Sequence, residues 1–369
     1  MKTIRRLFYR DILASVGFVA IAFLALFYFL DFVDGLDSIG RRGRMAWHVA
    51  LSGLYELPGH LYDLLPIAVL IGTIYSMARM AQASEFTILR TGGLGPWRAL
   101  RLLATLGLAF GALNFIVGDY LVPESERASV LLGARFDGGR RIDGAGAWLK
   151  DRISTPQGEG SMSINVAGID ASGVLQHVRR FEFDADGRLT SRTTAREATV
   201  GADGTWTLRD VSITHWPAAR GDTPTVRIEN LPSLSFRSKL NAGVVAAAVL
   251  PLSSMTTLEL WRYSVHLDDQ AQATQQVKIR FWQKALYPLS CLVMVALALP
   301  FAYLQARAGS ISLKVFGGIM LGIAFVLLNN LAGHIGMLSD WTPWMVATAP
   351  SLLFLLLSMA AFTWLVRYR

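Results

Sequence analysis

Long apolar runs occur towards both ends of the chain, and a segment with a different pattern separates them. Six of the runs have about the 20 residues of helix needed to cross the hydrocarbon core of a bilayer. They cover residues 12–30, 61–80, 99–122, 286–304, 315–337 and 344–366. The pattern predicts an α-helical membrane protein with six transmembrane helices, three before and three after an inserted domain.

The first apolar run is longer than the core of a cleavable signal peptide, which has about 7–15 residues. Three acids, Asp31, Asp34 and Asp37, follow it without a small-residue cleavage site. We therefore expect this run to be retained as the first transmembrane helix.

The central segment alternates apolar and polar positions, which is typical of half-buried β-strands. Residues 176–183, 188–200 and 205–213 show the alternation, and Asp186-Gly187 and Asp203-Gly204 separate them as hairpin turns. Shorter runs of the same kind cover 147–153, 161–166 and 225–228. The segment is predicted to form an all-β domain, either a sandwich or a roll.

A helix is predicted between the β domain and the fourth apolar run. Thr256 and Glu259 have the spacing of a capping box. The apolar residues that share one face of this helix are Met255, Leu258, Trp261 and Val265. The predicted organisation is transmembrane helices in 1–123, the β domain in 124–253, an amphipathic connecting helix in 254–280 and transmembrane helices in 281–369.

Composition and charge favour the same architecture. Hydrophobic residues make up 53% of the chain and charged residues 17%, whereas soluble domains have about 25% charged residues. The net charge of +8 comes largely from Lys and Arg at the ends of the apolar runs, so it indicates a membrane rather than a nucleic acid as partner. The positive-inside rule places both termini in the cytoplasm and the β domain outside. The protein is therefore expected in a bacterial inner membrane.

Known catalytic motifs are absent from the sequence. No Gly-Lys dipeptide occurs, which excludes a Walker A loop, and there is no His-Glu-x-x-His, paired-cysteine or Gly-x-Ser-x-Gly motif. The six histidines are isolated in sequence, and Cys291 lies within an apolar run as a small buried hydrophobe. We therefore expect no enzymatic activity and no metal site in this chain.

A short segment between the second and third apolar runs has boundaries of its own. Residues 81–91 can form a brief amphipathic helix with Glu85 near its middle. Gly92-Gly93 would end this helix and Gly95-Pro96 would begin the next one. The segment is either a docking element for a soluble partner or a solvated linker helix.

Small and polar residues within the apolar runs indicate how the helices pack. Gly107-x-x-x-Gly111 and Gly318-x-x-x-Gly322 permit close helix approach. Asn114 is polar at membrane depth, where such side chains face a bundle interior or a cavity.

Several short motifs, in this order along the chain, resemble the LptF/LptG permease family. They are Phe32-Val33-Asp34, Pro66, Gln82-Ala83-Ser84-Glu85-Phe86, Trp148-Leu149-Lys150-Asp151, Leu252-Ser253, Trp282-Gln283-Lys284, Pro288-Leu289, Gly317-Gly318, Asn329-Asn330, Pro343 and Pro350. The resemblance extends over essentially the whole chain. The first motif and the Gln/Ser/Glu motif resemble the LptG branch more closely than the LptF branch.

The resemblance implies a function in lipopolysaccharide transport. Family members are membrane subunits of an ATP-driven machine that extracts lipopolysaccharide from the outer leaflet of the Gram-negative inner membrane. An LptF and an LptG subunit surround a lipid cavity, two LptB ATPase subunits supply the work, and LptC associates with them. Their periplasmic domains are β-jellyrolls that pass the lipid towards LptA. This chain would bind no cofactor of its own, because ATP and Mg²⁺ belong to the partner ATPase.

The resemblance also assigns the cytoplasmic segment to coupling. By analogy, Glu85 is the carboxylate that enters a groove of LptB. The neighbouring residues Ser84, Phe86, Leu89 and Arg90 are then the other candidates for this contact.

Five arginines are candidates for lipid binding. Arg41, Arg42 and Arg44 follow the first apolar run on the outer side, where lipid A phosphates would lie. Arginine binds phosphate through two parallel hydrogen bonds, although a solvated loop explains these residues equally well. Arg127 and Arg135, after the third run, are weaker candidates of the same kind.

Three alternatives stay open at this point. The chain could be the paralogous LptF subunit, or the permease of another lipid or lipoprotein exporter, which a four-span layout would distinguish. A membrane enzyme that modifies lipids is the third, and it would need a convergent cluster of acids and histidines.

Overall fold

The computed structural model describes residues 2–40, 43–83, 96–137, 140–141, 146–155, 158–170, 174–201, 203–216, 225–240, 242, 244–245, 252–269, 274–303 and 311–367. The chain divides into two compact units. The first unit, which is helical, contains Met1–Asp34, Glu56–Val122 and Gln275–Arg369. The second unit contains Gly35–Tyr55 and Pro123–Thr274 and is built around a β-sheet.

The apolar runs form long helices. The α-helices of the described residues are α1 (Lys2–Gly35), α2 (Ala46–Gln82), α3 (Pro96–Ile116), α4 (Val122–Asp137), α5 (Thr257–Asp269), α6 (Gln275–Leu286), α7 (Leu289–Tyr303), α8 (Ile311–Leu338) and α9 (Pro343–Arg367). Five helical stretches of the described chain are long and apolar enough to cross a membrane, and the bent pair α6–α7 provides a sixth if it forms one span. The predicted apolar helices are confirmed, whereas six as the number of spans stays a prediction.

The fourth predicted span differs from the others because a bend interrupts it. α7 has 15 residues, or about 22 Å at 1.5 Å per residue, which is less than the roughly 30 Å of the hydrocarbon core. α6 precedes it at an angle of 52°. Pro288 lies at the break and has no N–H to continue the helical hydrogen bonds. α6 therefore has to contribute if this region crosses the bilayer.

From Glu56 onwards α2 belongs to the first unit, and it is the most buried of the five candidate spans. It begins at Ala46, earlier than the predicted residue 61, and continues through Pro58 and Pro66. Residues 65–80 of this helix are almost all buried. The buried cluster around it consists of Phe8, Ile12, Val16, Leu65, Val69, Met77, Met80, Ala99, Leu103, Leu106, Phe110, Cys291, Val295 and Leu299. The interpretation of Cys291 as a buried hydrophobe is confirmed.

Both small-residue motifs lie at helix contacts. A Cβ atom at Gly107 would lie 3.0 Å from a backbone atom of α7, and one at Gly111 would lie 2.9 Å from the carbonyl oxygen of Pro288, directly before α7. At Gly318 or Gly322 it would come within 2.6 and 2.9 Å of side-chain atoms of α2. Larger residues would push these helices apart, so the predicted close approach is confirmed at both motifs.

The third apolar helix extends further than the sequence predicted. α3 continues through a π-helical turn, Val117–Leu121, directly into α4. The predicted boundary at Pro123 therefore lies inside a helical segment that ends at Asp137. A proline ring clashes with the carbonyl four residues earlier, here Asp119, and the wider π turn changes the path of that carbonyl. This explains why the proline does not end the helix.

The second unit contains an antiparallel sheet. Its strands are β1 (Arg140–Arg141), β2 (Ala147–Thr155), β3 (Gly158–Ile169), β4 (Leu175–Phe183), β5 (Leu189–Val200), β6 (Thr205–His215) and β7 (Arg227–Arg237). From β2 to β7 each strand pairs with the next, and β1 pairs with β3. The inserted β domain is thus confirmed as an antiparallel sheet, and its description as a jellyroll stays a prediction.

The two predicted Asp-Gly turns are present. Gly187 and Gly204 have φ angles of +77° and +79°, which glycine adopts without steric cost. Asp184 Oδ1 accepts hydrogen bonds from the backbone N–H groups two and four residues later. The carboxylate of Asp203 accepts hydrogen bonds from the backbone N–H and the hydroxyl of Thr205. Local sequence therefore determines where β4–β5 and β5–β6 reverse direction.

The sheet has its own apolar core around Trp206. The indole is fully buried, and its Nε1 donates a hydrogen bond of 2.9 Å to the carbonyl of Leu240. Its ring stacks on Phe236 with centroids 5.7 Å apart. The other buried members are Ala147, Leu149, Met162, Ile164, Val166, Leu175, Val178, Ala195, Ala198, Leu208, Val211, Ile213, Leu240 and Val245.

The capping box is confirmed. The backbone N–H of Glu259 donates to the Thr256 hydroxyl, and Glu259 accepts from the Thr256 backbone N–H. The helix it caps, α5, ends at Asp269, so the predicted connecting helix 254–280 consists of α5 and the beginning of α6. On the predicted apolar face, Met255 is buried whereas Leu258 and Trp261 are about half exposed.

Candidate functional site

The predicted coupling residues lie outside the described part of the chain. These residues are Ser84, Glu85, Phe86, Leu89 and Arg90. The structure describes both sides of the segment: α2 ends at Gln82, and α3 begins at Pro96, as the glycine–proline pair predicts. Residues 81 and 82, the first two of the predicted coupling helix, therefore belong to α2.

A polar network holds α1 next to the end of α2 that leads into this segment. The carboxylate of Asp11 accepts a hydrogen bond of 2.5 Å from the hydroxyl of Ser76, which is fully buried. Asp11 also forms an ion pair with Arg79. These contacts attach α1 to the end of α2 that leads into the coupling segment.

A second contact joins α1 to the beginning of α3. The hydroxyl of Tyr9 lies 2.6 Å from Thr105 Oγ1 and donates a hydrogen bond of 3.2 Å to the carbonyl of Leu102. The helices that flank the coupling segment are thus both bonded to the first turns of α1. These contacts join residues that are far apart in sequence, and their one signal in the sequence is a single acid, Asp11, in a basic N-terminal region.

Of the five candidate arginines, only Arg44 and Arg127 have side chains within the described part of the chain. Arg41 and Arg42 lie outside the described chain, as does the side chain of Arg135. The carbonyl of Arg44 accepts a hydrogen bond from the N–H of Gly40.

Arg127 forms ion pairs with two glutamates of the second unit. Its Nη2 lies 2.8 and 2.7 Å from the two carboxylate oxygens of Glu259, and its Nη1 lies 3.7 Å from Glu124. The pair joins α4 to the capped end of α5. A phosphate group would have to compete with Glu259 for this guanidinium.

The electrostatics of Glu259 follow from these contacts. Partial burial opposes its ionisation, but the hydrogen bond from the Thr256 N–H and the contacts with Arg127 outweigh this effect. The pKa of Glu259 is therefore lowered from its usual value. The carboxylate is ionised at neutral pH and serves both the helix cap and the ion pair.

Asn114 faces the interior of the helical unit, as its polarity at membrane depth predicts. It is fully buried on α3, and neither atom of its amide has a hydrogen-bond partner within the described chain. A buried amide without hydrogen-bond partners costs about 1–3 kcal/mol of stability, so Asn114 destabilises the helical unit by itself.

Large apolar surfaces are exposed on the outer helices. Phe18, Ile21 and Phe29 of α1 are 73%, 69% and 61% exposed. α8 and α9 also expose many apolar side chains, including Leu327 and Trp364. Surfaces of this kind need lipid chains or the helices of another membrane subunit to cover them.

Comparison with known proteins identifies the family. A profile described as lipopolysaccharide export system permease LptF/LptG matches residues 6–366. The lipopolysaccharide export system permease protein LptG of Haemophilus influenzae is 23% identical over 360 residues, 97% of each chain. LptG of Escherichia coli K12 is 21% identical over 353 residues, 95% of each chain. Because these matches include nearly every helix and strand described above, the chain belongs to the LptF/LptG family of lipopolysaccharide export permeases.

Proposed function

We propose that this chain is the LptG-type subunit of an ATP-driven lipopolysaccharide transporter and pairs with an LptF-type permease. The observation that carries the proposal is the nearly full-length similarity to relatives named LptG. Family members are permease subunits rather than enzymes, and this sequence has no Walker A loop. A separate LptB-like ATPase dimer would therefore supply the work.

The proposed orientation has both termini in the cytoplasm and the sheet in the periplasm. Arg79 at the end of α2 and Arg98 and Arg101 at the beginning of α3 support a cytoplasmic position for the segment between them. Arg41, Arg42 and Arg44 would then lie on the periplasmic side and are proposed to contact the phosphates of the lipid.

Coupling is proposed to occur through the segment between α2 and α3. The ATPase would contact Glu85 and its neighbours, and the flanking helices would transmit its movement. The contacts of Asp11 and Tyr9 with these helices give the movement a route to α1. α1 exposes the apolar surface that meets lipid or the partner permease.

The sheet is proposed to receive the lipid and to contact LptC and LptA. Among the described strands, β2 and β7 each pair on one side only, and their edges are the proposed places of contact. Addition of a strand at such an edge is a common way for proteins to associate.

The proposal can be tested by reconstitution. The chain would be co-expressed with the LptF-like, LptB-like and LptC-like proteins of its own genome and purified through a tag on the ATPase. We expect a stable complex that transfers lipopolysaccharide from proteoliposomes to soluble LptA only with ATP. An ATPase whose Walker A lysine is substituted is the negative control. A stable complex with an LptG-type partner in place of LptF would instead make this chain the LptF subunit.

Orientation has a separate test with single cysteines in a Cys291→Ser background. Asp186→Cys lies in an exposed turn of the sheet, and Arg101→Cys lies at the beginning of α3. In spheroplasts, an impermeant maleimide should label the first cysteine and should label the second only after lysis. Equal labelling of both before lysis would contradict the proposed topology.

A further inference from the structure

Three metal-ligating side chains meet between α1 and α2. His60 Nε2 lies 2.8 Å from Asp31 Oδ2. One ligand atom from each of Asp31, Glu56 and His60 lies within 4.8 Å of the other two. Within the described residues, no other group of three histidine, cysteine or acidic side chains meets this condition.

The two helices hold these groups in place. Glu56 and His60 are four residues apart on the continuous helix α2, so they project from the same face. Asp31 faces them from α1, and Phe27, one turn earlier, packs against the imidazole with ring centroids 4.9 Å apart. The aromatic contact restricts the imidazole, and the ring presents Nε2 to the carboxylate.

The distances suit a small dication. Zn²⁺ bonds of about 2.0–2.1 Å in tetrahedral geometry separate the ligand atoms by about 3.3 Å. This value lies between the observed 2.8 Å and the 4.8 Å limit of the cluster. Small side-chain adjustments would therefore bring all three ligand atoms into the coordination sphere.

The types of ligand indicate the class of metal. An imidazole nitrogen with two carboxylate oxygens suits Zn²⁺ and other first-row divalent ions, whereas Mg²⁺ and Ca²⁺ favour oxygen alone. Three protein ligands leave a fourth position for water or another oxygen ligand. Glu56 is exposed, so this position is accessible from outside.

We propose that Asp31, Glu56 and His60 bind a Zn²⁺-class divalent cation that joins α1 to α2. The site adds a contact in a part of α1 where few side chains are buried, since the neighbouring Phe29 and Leu30 are 61% and 45% exposed. The cation binds only when the two helices are in contact, so it favours that arrangement over one in which α1 moves away. The inference does not depend on the proposed transport function.

The test is a Co²⁺ titration of the full-length chain in detergent, without a histidine tag. We expect one saturable site per chain, with a visible absorption band that Zn²⁺ abolishes by displacement. His60→Gln can still hydrogen-bond Asp31 but replaces the imidazole ligand with a weakly ligating amide, and it should bind at least about tenfold more weakly. His334→Ala is the matched control, because it removes another helical histidine and should leave the affinity unchanged.

Hydrogen exchange gives a second measurement. Zn²⁺ should slow amide exchange at residues 28–34 and 56–63 in the native sequence but not in His60→Gln. Absence of saturable Co²⁺ binding, or equal affinity in the native chain and His60→Gln, would overturn the proposal. In that case the His60–Asp31 contact is a hydrogen bond that holds the two helices together without a metal.

Discussion

Substitution of Asp11 by alanine tests whether the polar network holds α1 against α2. The carboxylate makes two contacts that differ in environment: Ser76 is fully buried, whereas the side chain of Arg79 is 52% exposed. Loss of the carboxylate would leave the Ser76 hydroxyl without its acceptor. Because the two contacts depend differently on solvent, their contributions to stability can be separated.

The expected cost comes mainly from Ser76. A buried donor that loses its partner costs about 1–3 kcal/mol, whereas a half-exposed ion pair contributes about 0–1 kcal/mol. Asp11→Ala should therefore weaken the contact by about 1–3 kcal/mol, and Arg79→Ala should cost less than about 1 kcal/mol. The double variant Asp11→Ala/Ser76→Ala should recover most of the loss, because no buried donor then lacks a partner.

Amide exchange of residues 8–16 in the full chain measures this contact. Since 1.4 kcal/mol corresponds to a factor of ten, Asp11→Ala should accelerate exchange by roughly 5- to 150-fold. Unchanged exchange would refute the reasoning and would mean that Ser76 bonds to the carbonyl of its own helix instead. In the reconstituted complex, the same variant should release less lipopolysaccharide per ATP hydrolysed.

Three further predictions concern coupling, the sheet and the cap. Glu85→Lys should reduce both the co-purification of the ATPase and the release of lipopolysaccharide, because loss of a buried interfacial charge contact costs about 2–5 kcal/mol. Membrane insertion should be unaffected. Unchanged co-purification and unchanged release would contradict the docking role. Trp206→Phe should destabilise the sheet by about 1–3 kcal/mol, measured by amide exchange, because the indole hydrogen bond is lost. Trp148→Phe, at a half-exposed position, is the control, and it should change the stability of the sheet by less than about 0.5 kcal/mol. Because the pKa of Glu259 is lowered on folding, its stabilisation should be complete above the unfolded pKa of about 4.3 and lost as pH falls through the folded value. The loss of thermal stability at acid pH should therefore be smaller in Glu259→Gln than in the native chain.

Local patterns predicted the elements well. Five of the six apolar runs correspond to long helices, and the alternating segments before, between and after the two Asp-Gly pairs correspond to β4, β5 and β6. These features depend on residues close together in sequence. The capping box of Thr256 and Glu259 was predictable for the same reason.

Contacts between distant residues were not predictable from those patterns. Asp11 and Ser76 are 65 residues apart, and Asp31 and His60 are 29 apart. The six histidines were therefore interpreted as isolated, and no metal site was expected. The π-helical turn at Val117–Leu121 also has no evident local signal, because it depends on the helix being maintained on both sides of Pro123.

The contact between α1 and α2 shows why apolarity alone does not determine helix pairing in a membrane. Lipid chains are as apolar as leucine, so association depends on small residues and on hydrogen bonds. A Cβ atom at Gly72 would lie 2.6 Å from backbone atoms of Val16, and polar contacts lie on either side, at Asp11 towards one end and Asp31 towards the other. Between Val16 and Asp31, no side chain of α1 is fully buried, and five large apolar side chains are exposed. Phe8, Ile12 and Val16 belong to the buried apolar cluster of the first unit, so only the part of α1 beyond Val16 can separate from α2 without disrupting that cluster.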